Sequence, residues 1–516
     1  MRGLSLLCFS PRVTRADDSL RPHTATLLVS LSQRSLSGLT KRSATQSLVL
    51  SSSTSDLVAT TPLSYTADEV KHVALSPDGS RQAVFRQVAA KDGKPARKVV
   101  EIVRVLDGRK EDELDLSKEH GDLYLDSTFG PPSWHPSSTS LVYTAEAPAP
   151  KPDPSALRPP STKFEYTPDF GETFTGRREP TLFLLVLADS SFQGALRQDK
   201  PLLSVHRLTS PDLAGPVVFG QPALLPDTER LRLVATGYEP LGDGRKLGIV
   251  YCTNRRARIY ALEVKPEQSD GDDEDDKPKV VFRTASATPI SSADRSARSP
   301  RVLPSPPSLT ASRVVYISNA LGGPHASCAA LQLATLSASL AVDEDRTIVA
   351  VVDVPDTKDD DPFPGLYVDQ LPSEPFVVGP DGEVAVALTS VWRTRRVPLV
   401  VGLGSGRVTS LAPWPERRTS VDAALPYLYL GKDGGAQEQL ESFSVLGTDG
   451  QDRVVALRSG PGAPPRLVVA NVREGSGARW KVLKGAPVSD ERASSPSCTR
   501  SRDLAAAEAS LRSSPR

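Results

Sequence analysis

Leu75-Ser76-Pro77-Asp78-Gly79-Ser80-Arg81-Gln82-Ala83-Val84-Phe85-Arg86 joins a tight turn to a strand. Proline, aspartate and glycine in succession set turn dihedrals, and the apolar residues behind them favour extended chain. The unit returns as PSWHPSSTSLVYTAE from Pro132, PALLPDTERLRLVATGYE from Pro222 and PRVLPSPPSLTASRVVYISN from Pro300. Two more copies are PFVVGPDGEVAVALTS from Pro375 and SFSVLGTDGQDRVVALRSG from Ser442. Most read strand, turn, strand. Further strands are expected between the copies, over 98–106, 181–187, 348–354, 399–411 and 466–472. The copies stand roughly 60 to 90 residues apart, more than the ~40 to 50 of compact propeller repeats, and the excess is loop.

A repeated hairpin pair cannot cover both its faces alone, whereas four-stranded sheets set radially around an axis bury them against one another. The pattern therefore predicts an all-β fold, a β-propeller over residues 47–488. Six copies of the turn are visible, and Ser47 to Thr61 with the last C-terminal strands supplies a seventh blade. Residues 1–46 are expected to be an irregular extension with a short helix over 27–39. Residues 489–516 form a disordered or short-helical tail, its helix at 503–511. Two stacked β-sandwich domains would need an interdomain linker, and none is visible.

Composition agrees with short strands and long loops. The 46 prolines are ~9% of the 516 residues, against a usual ~5%, and proline is excluded from helix interiors and central strands. With 62 basic and 62 acidic residues the net charge is zero, so the basic excess of a nucleic-acid binder is absent. No apolar run reaches the ~20 residues of a membrane-spanning helix. Met1 to Ala16 carries Arg2, Arg12 and Arg15 and no acid, faintly like a transit peptide, but its apolar core from Leu4 to Phe9 is too short for a secretory signal. Cys8, Cys252, Cys328 and Cys498 lie far apart, as isolated reduced thiols of a cytoplasmic protein would.

No metal or cofactor site is expected. The cysteines and the six histidines form neither paired zinc ligands nor an HExxH motif. The acidic run from Asp270 to Asp276 lacks the Gly and Glu positions of a calcium loop and reads as a solvated tip, as does Asp359 to Asp361. Pro148 to Thr162 is a second low-complexity insert.

The search for a hydrolase nucleophile is negative. A strained strand-to-helix elbow tolerates only small neighbours around its serine, and no serine here has glycine both two places before and two places after it. Gly404-Ser405-Gly406 and Gly475-Ser476-Gly477 read as hairpin turns, and Gly322-Gly323-Pro324-His325 as a loop. No catalytic residue is assigned.

Leu247 to Val264, LGIVYCTNRRARIYALEV, reads as a hairpin: Leu247, Ile249 and Tyr251 alternate, 253–257 turns, and Tyr260, Leu262 and Val264 alternate again. Its Cys252-Thr253-Asn254-Arg255-Arg256 resembles a hairpin in the N-terminal propeller of the acylaminoacyl-peptidases, acylamino-acid-releasing serine hydrolases of the prolyl oligopeptidase family. The likeness runs in order through Ser76 to Gly79, Leu116 to Gly121, Phe129 to Tyr143, and Phe164 to Glu172 with Phe170 where tryptophan is expected. It continues through Ser299-Pro300-Arg301, Arg313 to Tyr316, Val351 to Val354 and Gly365-Leu366-Tyr367.

The resemblance implies a propeller that gates access of short N-acylated peptides to a catalytic α/β-hydrolase domain which this chain lacks, so that it is inactive alone. It leaves a truncated gene model, a propeller-only paralogue and half of a split enzyme as alternatives. It also implies gating candidates: Arg255, Arg256 and Asn254 on the turn, and Glu165, Asp169 and Glu172 of the aromatic-acidic segment. A stand-alone interaction scaffold is the competing function, and a homo-oligomer stays open.

Overall fold

The computed structural model describes residues 3–10, 24–35, 40–51, 53–67, 69–90, 95–149, 164, 168–187, 203–208, 217–227, 229–269, 279–304, 311–356, 358, 362–413, 441–460 and 463–483. Over these the chain is all-β, a seven-bladed propeller with only short 3-10 turns besides. Six antiparallel four-stranded sheets follow one another, each in simple meander order: blade 1 over 70–115, blade 2 over 133–207, blade 3 over 218–289, blade 4 over 295–349, blade 5 over 376–410 and blade 6 over 442–482. The seventh sheet is N-terminal, from Gly3–Ser10, Thr24–Ser35, Thr40–Ser51, Leu57–Thr60 and Ser64–Thr66.

All six copies of the turn unit join the first strand of a blade to its second. The side chains explain the recurrence. In blade 1 Ser76 Oγ donates to Asp78 Oδ1 at 2.6 Å, and Asp78 Oδ1 accepts the Ser80 amide at 3.0 Å. Gly79, at φ 69°, returns its amide to the Ser76 carbonyl at 2.9 Å, a conformation glycine adopts without strain. These turns also touch across blades: the Asp78 amide donates to Ser138 Oγ at 3.2 Å, and His135 Nε2 lies 3.0 Å from the Asp227 carbonyl.

Within a blade, exposure falls from edge to middle. Ser140–Glu146 and Pro180–Leu187 are buried along their whole lengths and accordingly read as unbroken apolar runs. The outer strand Lys110–Asp115, KEDELD, alternates exposed and half-buried, and its charges guard the free edge. Apolar clusters fill the seams between successive blades. Phe85, Val100 and Ile102 of blade 1 pack with Leu141, Tyr143 and Leu185 of blade 2, and Val315 and Leu331 of blade 4 with Leu388 and Leu399 of blade 5. Each such fully buried side chain contributes about 1.5–3 kcal/mol relative to exposure, which is why the sheets stand face to face.

Several expectations are corrected. Thr24–Ser35 is a strand, not part of a helix over 27–39: Ala25, Leu27, Val29 and Leu31 are buried in alternation with half-buried neighbours, a period of two. The segment 1–46 is therefore not irregular throughout, because it supplies three strands of the seventh blade. The C-terminal strands do not share in that blade. Ala463–Asn471 and Lys481–Val482 complete blade 6, and the ring closes by packing, Leu27, Leu48 and Leu50 against Val455, Leu467 and Val469. The strand expected over 348–354 lies earlier, at Val342–Val349. The tail 489–516, most of both inserts (150–163 and 270–278) and Glu165 fall outside the described residues.

The hairpin at 247–264 is half right. Ala257–Ser269 is a strand, but its partners are Leu231–Tyr238 and Lys279–Pro289, while 239–256 is one long loop. Ile249 and Val250 are consecutive and both turn into an aromatic cluster, so the apparent alternation never forms a sheet face. Tyr251 takes φ 59° and stands 89% exposed.

Candidate functional site

The loops joining second to third strands gather at one end of the ring, with the connections between blades. Three carry the sequence-nominated residues or their partners: 168–178 of blade 2, 239–256 of blade 3 and 321–329 of blade 4. Beneath the first two sits a cluster of Tyr124, Phe129, Phe170, Phe174 and Tyr238, against which Ile249 and Val250 pack. Phe129 is ringed by the others at centroid distances of 4.8 to 6.0 Å. Tyr124 Oη donates to the Arg178 carbonyl at 2.6 Å, and Tyr238 Oη donates to the Thr128 carbonyl. Burial pushes both phenols well above the ordinary tyrosine range, so they stay protonated and keep these donated bonds. Lys246 binds blade 3's loop to blade 2's, with Nζ 5.3 Å from the Phe170 ring centre and 3.2 Å from Glu179 Oε2.

Asn254 is buried and structural. Its Nδ2 donates to the Gly323 carbonyl, and its own carbonyl accepts the Gly322 amide at 3.0 Å. The Gly322 to His325 string is thus a loop that docks blade 4 onto blade 3's turn. Arg255 is half-buried and Arg256 exposed. Among the described residues, Thr253 Oγ1, Asn254 Oδ1 and Arg255 Nε are buried with no hydrogen-bond partner, three orphaned polar atoms in successive residues. Such atoms are rare because each forfeits its hydration without recompense.

Asp169 is absorbed by its own loop, accepting the Gly171 amide at 2.8 Å and the Gly176 amide at 3.0 Å. Glu172 is exposed, at φ 48°, at the start of the 3-10 turn Glu172–Phe174. The aromatic cluster brings the two loops together. Among the described residues no ion pair joins Asp169 or Glu172 to Arg255 or Arg256.

The serine lookalikes are turns, as their flanking residues imply. Ser405 Oγ donates to Glu383 Oε1, and the Gly404 and Ser405 amides donate to Glu383 Oε2 at 2.8 and 3.0 Å. Gly475-Ser476-Gly477 ends the 3-10 turn Val472–Gly477. No group of three or more His, Cys, Asp or Glu able to hold a metal occurs among the described residues, and no helix is long and apolar enough to cross a membrane.

Around the axis, the first strands of blades 3 and 4 are tied to each other and to the segments leading into blades 2 and 5. The Gln221 amide donates to the Phe129 carbonyl at 2.5 Å, the Ser299 amide to Gln221 Oε1 at 2.8 Å, and the Leu371 amide to Ser299 Oγ at 2.9 Å. Arg301 Nε and Nη2 donate to the Pro372 and Leu371 carbonyls at 2.6 and 2.7 Å. Arg298 does likewise toward Asp369 and Val368. Burial lowers both guanidinium pKa values to about 10, which leaves them charged at neutral pH. Sequence reasoning met Ser299-Pro300-Arg301 as part of a likeness and at the head of a turn-unit copy; its work is to lace blade 4 to blade 5. The aromatic cluster was missed because its members lie up to more than a hundred residues apart with no shared period.

A family model described as the acylamino-acid-releasing enzyme N-terminal domain matches residues 18–421. The chain is 28% identical over 429 residues to acylamino-acid-releasing enzyme 2 of Oryza sativa subsp. japonica, covering 79% of this chain and 49% of that protein. It is 27% identical over 370 residues to the acylamino-acid-releasing enzyme of Arabidopsis thaliana, covering 68% and 41%. Among solved structures, the β-propeller domain of the Trilobed protease from Pyrococcus furiosus aligns with 94% of this chain and 98% of that one, at 10% identity and a TM-score of 0.39. The chain spans about half the length of the curated relatives it matches.

Proposed function

Because the chain belongs to the acylamino-acid-releasing enzyme family through its N-terminal domain, we propose that it is the size-selecting propeller of an acylaminoacyl-peptidase. On this reading it admits short N-acylated peptides to a serine hydrolase unit lying outside residues 1–516. The reading rests on the family match over 18–421. Two physical features support it. The hydrogen-bonded belt from Phe129 through Gln221 and Ser299 to Leu371 ties the first strands of blades 3 and 4 to each other and to the segments leading into blades 2 and 5, which resists spreading of that part of the ring. The orphaned polar atoms of Thr253, Asn254 and Arg255 are the kind a peptide backbone or carboxylate would satisfy.

Catalysis would come from the hydrolase unit, with the propeller contributing exclusion of water and of folded proteins. The setting is proposed to be cytoplasmic, in keeping with the unpaired thiols of Cys252 and Cys328. The test is an acyl-peptide hydrolysis assay, first on the purified chain and then on the chain joined to a relative's hydrolase unit. No turnover alone, and turnover of N-acetylated short peptides but not of an N-acetylated folded protein once joined, is the expected result. Turnover by the chain alone, or equal attack on both substrates when joined, would sink the proposal.

A further inference from the structure

A cleft of about 340 Å³ lies between blades 1 and 2 at the end of the ring that carries the loops described above, and among the described residues none of the nominated gating residues lines it. Its floor is apolar: Phe85 and Val99 from blade 1, with Leu116 and Leu123 from the connection between the blades. Its polar lining is strongly one-signed. Lys71, Arg86, Lys98 and Arg177 face it, against the single carboxylate of Asp122. Glu101 pairs with Arg86 at 2.7 Å, and Asp122 with Lys98 at 3.2 Å.

Among the described residues Arg177 has no carboxylate partner. It is exposed, and its guanidinium stands 5.6 Å from the centre of the Tyr124 ring. That ring is held by its hydrogen bond to the Arg178 carbonyl and by packing on Phe129, so the guanidinium rests on a fixed platform. The buried polar group of the lining, His120, is committed to Tyr143 Oη at 3.0 Å and the Gly121 carbonyl at 2.8 Å. Burial takes its pKa down to about 4, so it adds no charge at neutral pH.

An apolar floor with a cationic rim, in a volume typical of small-molecule sites, selects one kind of ligand. We propose that this cleft binds a small organic carboxylate that also carries an apolar group, of the size of an N-acyl amino acid, with the carboxylate at Arg177 and Lys98 and the acyl chain over Leu116 and Leu123. Binding would exchange the Lys98–Asp122 pair for a Lys98–ligand pair, and the planar guanidinium offers the ligand two parallel N–H donors. The inference concerns the isolated chain and holds whether or not a hydrolase unit is joined to it.

Titration calorimetry of the full chain with N-hexanoyl-aspartate tests it, alongside the corresponding diamide, N-acetyl-aspartate and inorganic phosphate. Saturable binding of the hexanoyl acid, at least tenfold weaker binding of the other three, and a loss of tenfold or more in Arg177→Ala support the proposal. Unchanged affinity in a folded Arg177→Ala overturns it, as does phosphate binding equally well, which would mark a bare anion site, or no saturation in the millimolar range. Should Arg177→Ala fail to fold, Lys98→Gln carries the same two outcomes.

Discussion

Ser299 donates its backbone amide to Gln221 Oε1 across 2.8 Å, and both residues sit at positive φ, 61° and 51°, in matching bulges of the first strands of blades 4 and 3. One side-chain oxygen therefore serves two blades, since it also accepts from Thr236 Oγ1 at 2.7 Å, while Gln221 Nε2 donates to the Ser127 carbonyl at 2.7 Å toward blade 2. The strained backbone is held because every polar atom of that side chain is used.

Gln221→Leu keeps the bulk and orphans two donors and one acceptor. We expect a loss of about 3 kcal/mol in urea unfolding, and about 1 kcal/mol for Thr236→Val, which removes one partner isosterically. The two substitutions share an oxygen, so the double variant should lose less than the sum. Strict additivity would show that the belt is not a connected network.

Stability should decline in mild acid. His72, His120 and His206 are each held neutral by burial, with pKa values near 4 against about 6.5 unfolded. A depressed histidine contributes its full stability above the unfolded value and loses it as pH falls from about 6.5 toward 4, at roughly 1.36 kcal/mol per pH unit per residue. His120→Gln should remove one residue's share of that slope. Denaturant midpoints measured between pH 7 and 4 read it directly, and an unchanged slope would contradict the assignment.

The ring was legible because its signal is local. Ser76-Pro77-Asp78-Gly79 and its five successors carry turn dihedrals, capping side chains and the following strand in about a dozen residues, and each proved to be the hairpin nearest the axis. The seventh blade was misread because Thr24–Ser35 has no aromatic residue and no turn unit to announce it. The alternation of Ala25, Leu27, Val29 and Leu31 was nevertheless present. Sites depend on distant partners. That Asn254 would bury itself against Gly323, and Asp169 against Gly171 and Gly176, follows from loop packing, which no spacing in the sequence encodes.

Closure of the ring can be probed at blade 6. Arg453 and Asp449 form a buried pair at 3.4 Å, and Arg453 Nε also donates to Ser55 Oγ of the N-terminal blade at 2.8 Å. Burial raises the Asp449 carboxyl above its ordinary range, opposed by the Arg453 and Gln451 amides that donate to Oδ1 and then by the Arg453 charge. Arg453→Ala should cost about 3–5 kcal/mol by stranding the carboxylate, and Arg453→Ala/Asp449→Asn should recover part of it. Limited proteolysis should then release the N-terminal blade faster than in the parent chain, because no strand is shared across that seam.

The gating residues divide by what they touch. Asn254→Ala removes the donor to Gly323 and should cost about 1–2 kcal/mol of stability, with little specific effect on which peptides are cleaved. Arg255→Ala and Arg256→Ala remove no hydrogen bond made by either side chain among the described residues, so melting temperature should barely move. In the chain joined to a hydrolase unit, a role in meeting peptide carboxylates predicts that the two arginine substitutions raise KM about tenfold for N-acetylated peptides with a free C-terminus. The same peptides as C-terminal amides should be unaffected, because the lost interaction requires a charge on the substrate. Equal effects on acid and amide would assign both arginines to the fold, leaving selection to the width of the ring alone.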